Sequence, residues 1–230
     1  MLAFEYLNNL VALESFILIM ILADSERDRA RSIYINCPFD GNYAPVLDAV
    51  VLSILGCGYL PRIAFEDGSS DELRINRIVK ALISSRYSFH DLVRCQGEGL
   101  SNLGRFNMPL ELGIAIGIKS ILAKDDIKHE WFAVVPSHHD HSEYASNLKG
   151  YDLKKCDGSE QDLIYKIMCW LHAKPTRPLP QLSDIDPAVI IRALPRYRQE
   201  KIDVNTKYGG EPVPWSIILR IAVHAIQSTM

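Results

Sequence analysis

From Ser32 onward, short β-rich runs alternate with stretches whose apolar residues recur at helical spacing. Each connection is long enough to carry the chain back across a sheet, so successive strands are expected to pair in parallel rather than as hairpins. Ser32-Ile33-Tyr34-Ile35-Asn36-Cys37 reads as a first strand, bounded by Pro38 and the turn-prone Asp40-Gly41-Asn42. Val46, Leu47, Val50, Val51, Ile54 and Leu55 then mark a helix over 43–57, ending at Gly58. A second strand over 59–65, a helix over 72–85, a third strand over 87–93 and a helix over 108–118 follow. A fourth strand over 131–135 and an amphipathic helix over 162–172 complete an α/β domain built on a parallel sheet with flanking helices.

The two ends stand outside this pattern. Phe16-Ile17-Leu18-Ile19-Met20-Ile21-Leu22-Ala23 is apolar but far shorter than the roughly 20 residues that cross a bilayer, and no Lys or Arg precedes it. The expectation is a helix packed on the body or on a second subunit, without stable membrane insertion, joined to the domain by a charged hinge at 24–31. Pro175, Pro178, Pro180 and Pro187 mark a linker, after which two short helical stretches are expected, the last over 215–227. The division is therefore 1–31, 32–174 and 175–230. A formal net charge of -3 argues against a general electrostatic grip on nucleic acid. Five cysteines without any C-x-x-C pair read as reduced thiols in a cytoplasmic protein.

Parallel sheets bind ligands beyond the carboxyl ends of their strands, and the polar residues expected there are the candidates. After the first strand these are Asn36, Cys37, Phe39, Asp40 and Tyr43; after the second, Arg62, Glu66 and Asp67; after the third, His90, Asp91, Arg94 and Arg105. No G-x-G-x-x-G and no G-x-x-x-x-G-K-[ST] occurs, which disfavours a standard dinucleotide fold or a nucleotide triphosphatase. Glu111 enters an apolar helix just after Pro109, which suits a first turn. Such an acid either caps backbone N–H groups at the positive helix end, or is buried with partners, or serves chemistry.

His90 and Asp91 are neighbours on a strand and point to opposite faces unless the strand has ended. Asp91 is the better acceptor for sugar hydroxyls. Arg62, Arg94 and Arg105 can grip a diphosphate with planar donor forks, or form surface ion pairs. Phe39 and Tyr43 suit base stacking or core packing equally. Cys37 is expected in an exposable loop, with no His beside it to make a nucleophile. His138-His139-Asp140-His141 lacks a fourth ligand and reads as a solvated loop, so no metal site is expected.

Four motifs carry a resemblance: Tyr34-Ile35-Asn36-Cys37-Pro38-Phe39-Asp40; Cys57-Gly58 followed by Pro61-Arg62; Ser88-Phe89-His90-Asp91-Leu92; and Arg105-Phe106-Asn107-Met108-Pro109-Leu110-Glu111-Leu112-Gly113. Together they resemble a prokaryotic TIR-like family over 33–117, a little over a third of the chain. The layout is similar to TIR domains and nucleoside 2-deoxyribosyltransferases, which share a flavodoxin-like sheet. The resemblance implies cleavage of an N-glycosidic bond, in NAD or a related nucleotide, by an effector of bacterial antiphage defence. NAD would be substrate rather than cofactor. By position in the motif Glu111 is the group that attacks or stabilises the anomeric carbon, with Asp91 and Phe39 seating ribose and base and Asn107 and Met108 lining the nucleotide site. The resemblance also implies a homo-oligomer. A nucleotide-sensing module without catalysis and a self-associating scaffold are the alternatives.

Overall fold

The computed structural model describes residues 26–66, 71–93, 95, 106–122, 128–137, 146–175 and 185–230. The elements run α1 (Glu26–Arg31), β1 (Ser32–Asn36), α2 (Ala44–Gly56), β2 (Leu60–Arg62), α3 (Arg74–Ile83), β3 (Tyr87–Asp91) and α4 (Asn107–Ile121). They continue with β4 (Glu130–Pro136), a 3-10 turn at Ser146–Leu148, β5 (Lys154–Cys156), α5 (Glu160–His172), α6 (Pro187–Lys207) and α7 (Trp215–Gln227). The five strands form one sheet in the order β2-β1-β3-β4-β5, with every pairing parallel. This is the flavodoxin-like order, as expected. It reverses direction between β1 and β3, where Asn36 pairs with His90 at the carboxyl ends of the strands.

Alternation along β1 and β3 sorts the core into two layers. Ile33, Ile35, Tyr87 and Phe89 face α2, α5, α6 and α7 in the largest apolar cluster. On the other face Tyr34 packs with Ile78, Leu82, Ala115 and Ile118 of α3 and α4, and Leu92 packs with Met108, Leu112 and Val135. Residues Asp48 to Gly56 of α2 are all buried. A helix apolar on every side needs cover on every side. The sheet covers one side of α2; α6 and α7 cover much of the rest, contributing Ile190, Leu194, Tyr197, Ala222 and Ile226 to the same cluster.

Several expectations are corrected here. A fifth strand, Lys154–Cys156, closes the sheet. The strand expected over 59–65 shortens to Leu60–Arg62, an edge position that tolerates the missing N–H of Pro61. The Pro61 carbonyl instead accepts a bond from Trp215 Nε1 at 3.1 Å, which pins α7 to that edge. The two short helical stretches after residue 187 are one helix of 21 residues and one of 13. Pro187 opens the longer one, where its missing N–H costs nothing, and Asp186 caps it by accepting from the Ala188 amide. Among the described residues no helix is long and apolar enough to cross a membrane. The apolar run 16–23 lies outside the described residues, as does the cluster His138 to His141.

Candidate functional site

The chain reverses its winding at the carboxyl ends of β1 and β3, and such reversals leave a crevice in open parallel sheets. Glu111, only 5 % exposed, is bonded to Tyr34 of β1 on one face of the sheet there. Helix α4 begins at Asn107, so Pro109 occupies the first turn and Glu111 the second. Of the three alternatives for this acid, capping is not the one seen: among the described residues no side-chain cap is made at the N-cap position of this helix. Glu111 instead turns inward, where the Tyr34 hydroxyl donates to Oε2 at 2.8 Å. Burial raises its pKa, opposed by the Tyr34 hydrogen bond and by the positive charge of Arg74.

Asn36 ties α4 to the sheet. Its Nδ2 donates to the Met108 carbonyl at 2.9 Å and to His90 Nδ1 at 2.8 Å. A carbonyl can only accept, so this atom is the amide nitrogen and His90 Nδ1 must be an acceptor. His90 Nε2 then donates to Ser88 Oγ at 2.8 Å, Ser88 donates to His129 Nε2 at 2.9 Å, and His129 Nδ1 donates to the Ser85 carbonyl at 3.0 Å. The result is a one-way chain with both imidazoles neutral. Burial pushes His90 down to about 3, helped by His129, and pushes His129 down to about 4, partly offset by the Ser85 carbonyl. Held neutral in this way, the imidazoles link β1, β3 and the Met108 carbonyl of α4 and do not exchange protons near neutrality.

Asp91 lies on the opposite face from Tyr34 and Glu111, as strand alternation requires. Its Oδ2 accepts from the Tyr43 hydroxyl and its Oδ1 from the Val93 amide at 2.7 Å. Asp91 is 1 % exposed, so in this state it is a structural acceptor and not an open sugar site. Cys37 lies within electrostatic reach of both acids. Burial raises its thiol pKa well above the ordinary value, and Asp91, Glu111 and Asp40 reinforce the shift in that order. The expectation of an exposable cysteine is corrected; this thiol is buried and protonated. Asp40 accepts from the Tyr43 amide at 3.1 Å and sets the turn into α2. Tyr43 is buried in the large core cluster, which corrects base stacking in favour of packing.

Arg62 forms an ion pair with Glu66 four residues on, the surface-pair alternative to a diphosphate grip. Arg94 and Arg105 lie outside the described residues. Asn107 is exposed at the head of α4, whereas Met108 is buried and contributes its carbonyl. Phe39 is 40 % exposed and meets Phe65 edge-on, with centroids 5.5 Å apart. The guanidinium carbons of Arg74 and Arg77 lie 4.7 and 5.7 Å from the Phe65 ring centre. This group of two aromatic rings and two arginines offers a stacking surface beside positive charge, and Arg74 is close enough to Glu111 to stabilise its ionised form. Sequence reasoning found Phe39 but missed Tyr34, Phe65, Arg74 and Arg77; an aromatic followed by arginines at the head of the next helix is the signal that was present.

Two other groupings are accounted for locally. Cys156, Asp157 and Asp162 each bring a ligand atom within 4.8 Å of the others. Asp162 already accepts from Lys166 and from the Asp157 amide, and burial holds the Cys156 thiol up at about 12, so the group serves the α5 entry. A cavity of about 370 Å³ lies on the far face of the sheet among α2, α6 and α7. Its buried carboxylate, Asp48, is engaged by Lys201 and Arg198.

No protein-family model matches the chain, and no curated protein matches it. What the fold and site define is a class: a flavodoxin-like α/β protein with a buried, tyrosine-bound glutamate on the helix that follows β3.

Proposed function

We propose that the protein cleaves the N-glycosidic bond of NAD or a related nucleotide, with Glu111 as the group that meets the anomeric carbon. The observation that carries this reading is a buried carboxylate on the helix that follows β3, bound by Tyr34 of β1 and within reach of the charge of Arg74, which stacks on Phe65. In the reaction the C1′–N bond breaks and its electron pair leaves with the base. The ribosyl cation that remains is stabilised or trapped by the Glu111 carboxylate, and water then adds at C1′ and releases a proton. Burial raises the energy of an isolated carboxylate, so the approach of positive charge is rewarded more strongly here than in water. Phe39 and Phe65 supply faces for a base, and Arg74 a charge for phosphate. A role as an effector of antiphage defence is part of the same proposal and rests on the motif resemblance at 33–117.

One observation favours a second reading, a nucleotide-sensing module without turnover. Glu111 is 5 % exposed and one of its oxygens is held by Tyr34, so a ligand must open the site to reach it. Incubation of the purified chain with NAD, followed by mass spectrometry, separates the two. Loss of NAD with release of nicotinamide, abolished in Glu111→Gln, supports cleavage. Binding by both proteins without breakdown supports sensing. Equal turnover by both removes Glu111 from the chemistry.

A further inference from the structure

Helix α4 carries Glu111 on its inner side and an uncharged stripe on its outer side. At the helical angle per residue, Phe106, Leu110, Gly113, Ile114, Gly117 and Ile121 fall within roughly 60° of one line along the axis. Phe106 is 78 %, Leu110 57 % and Ile121 77 % exposed, and a Cβ at Gly113 or Gly117 would meet nothing within 4 Å. Outward helix faces ordinarily carry charge. Large apolar chains flanking two open glycines instead form a groove into which another helix can settle closely.

The start of the described chain is anchored at the end of the neighbouring helix α3. Arg29 of α1 donates from Nε to the Ile83 carbonyl at 2.8 Å, and the Arg86 amide donates to the Arg29 carbonyl at 2.9 Å. α1 is thereby fixed at the last turn of α3, beside Ile83, itself 50 % exposed. Helices α3 and α4 pack together and both return from the carboxyl ends of the strands, so their last turns, with Ile83 and Ile121, lie at the same end of one sheet face. Two residues, Asp24 and Ser25, separate Glu26 from the eight apolar residues Phe16 to Ala23. A tether that short gives the segment it carries an effective concentration on the order of millimolar for any site within its reach.

We propose that residues 16–23 of the same chain dock on the outer face of α4, across Gly117 and against Ile83 and Ile121. This cis contact is independent of the proposed chemistry. The test is hydrogen exchange of the full chain, read by mass spectrometry for peptides covering 16–23, in the wild type and in Gly117→Asp. The substitution points into open space, so β3 and α4 should exchange as before and report an intact fold. The expected result is slow exchange of 16–23 in the wild type, faster by about tenfold or more in Gly117→Asp, and unchanged on dilution. Ile121→Lys should give the same release. Absence of protection in the wild type overturns the proposal, and so does protection that survives both substitutions. Protection lost on dilution also overturns it, because the occupant is then a second copy.

Discussion

The Tyr34 hydroxyl and the Glu111 carboxylate meet at 2.8 Å across 77 positions of sequence, joining β1 to α4 in the buried layer between sheet and helix. The bond opposes the burial that raises the Glu111 pKa. Tyr34→Phe removes the donor and keeps the ring, so the acid should titrate at still higher pH. A buried acceptor losing its partner costs roughly 1–3 kcal/mol. Carbon-13 titration of the Glu111 carboxyl and urea unfolding measure the two effects; an unmoved titration would show that Tyr34 does not govern the acid.

Arg74 is exposed, and its guanidinium lies over Phe65 while its charge reaches Glu111. Arg74→Ala should leave stability within about 0.5 kcal/mol, as at other exposed positions. A lost charge-assisted bond to phosphate is worth about 1.5–3 kcal/mol, so NAD affinity should fall on the order of tenfold to a hundredfold. Nicotinamide riboside, which has no phosphate, should bind both proteins alike. Calorimetry with the two ligands checks this, and an equal loss for both would assign Arg74 to something other than phosphate.

Much of the fold was legible because β1 and β4 are rich in β-branched and aromatic residues, β3 alternates aromatic with polar residues, and helical periodicity flanks each. β5 was not: its three residues include two exposed lysines, which protect an edge from further pairing but leave no apolar signal. The length of α6 was obscured by Pro195 within it and by a mostly polar surface. At the site, strand alternation separated His90 from Asp91 correctly. The partner of Glu111 was hidden, because all five residues of β1 are buried and nothing in their pattern distinguishes the Tyr34 hydroxyl from packing. Only the crossover that lays α4 over β1 brings the two together.

The Asn36–His90–Ser88–His129 chain makes acid sensitivity a property of the sheet. Both imidazoles are held neutral, with pKa values near 3 and near 4 against an ordinary 6.5. A depressed pKa adds stability that is fully present above pH 6.5 and is lost as pH falls toward the folded value, because the unfolded chain takes up the protons first. Each histidine should therefore contribute a slope of roughly 1.4 kcal/mol per pH unit across that window. The raised Glu111 pKa acts with the opposite sign but is common to variant and parent. Urea unfolding from pH 7 to pH 4.5 should show a shallower slope for His129→Gln than for wild type, by about one proton's worth. Parallel slopes would mean that His129 is not buried neutral.

The seat of α6 on α2 is tested at Gly56. A Cβ there would stand 2.6 Å from Ile190 Cδ1 and 3.3 Å from its Cγ1, and Ile190 is fully buried. Alanine in place of helical glycine ordinarily stabilises by about 1 kcal/mol. Overpacking a full core costs about 1–3 kcal/mol, so Gly56→Ala should be neutral to destabilising despite the better helix former. Ile190→Val removes the clashing Cδ1 and by itself costs about 0.5–1.5 kcal/mol. Combined, the two changes should cost less than their sum, because the methyl removed makes room for the one added. Urea unfolding of the four proteins gives the coupling directly. Simple additivity would mean that α6 does not rest on α2 at this point, and that the cover completing the large apolar cluster comes from elsewhere.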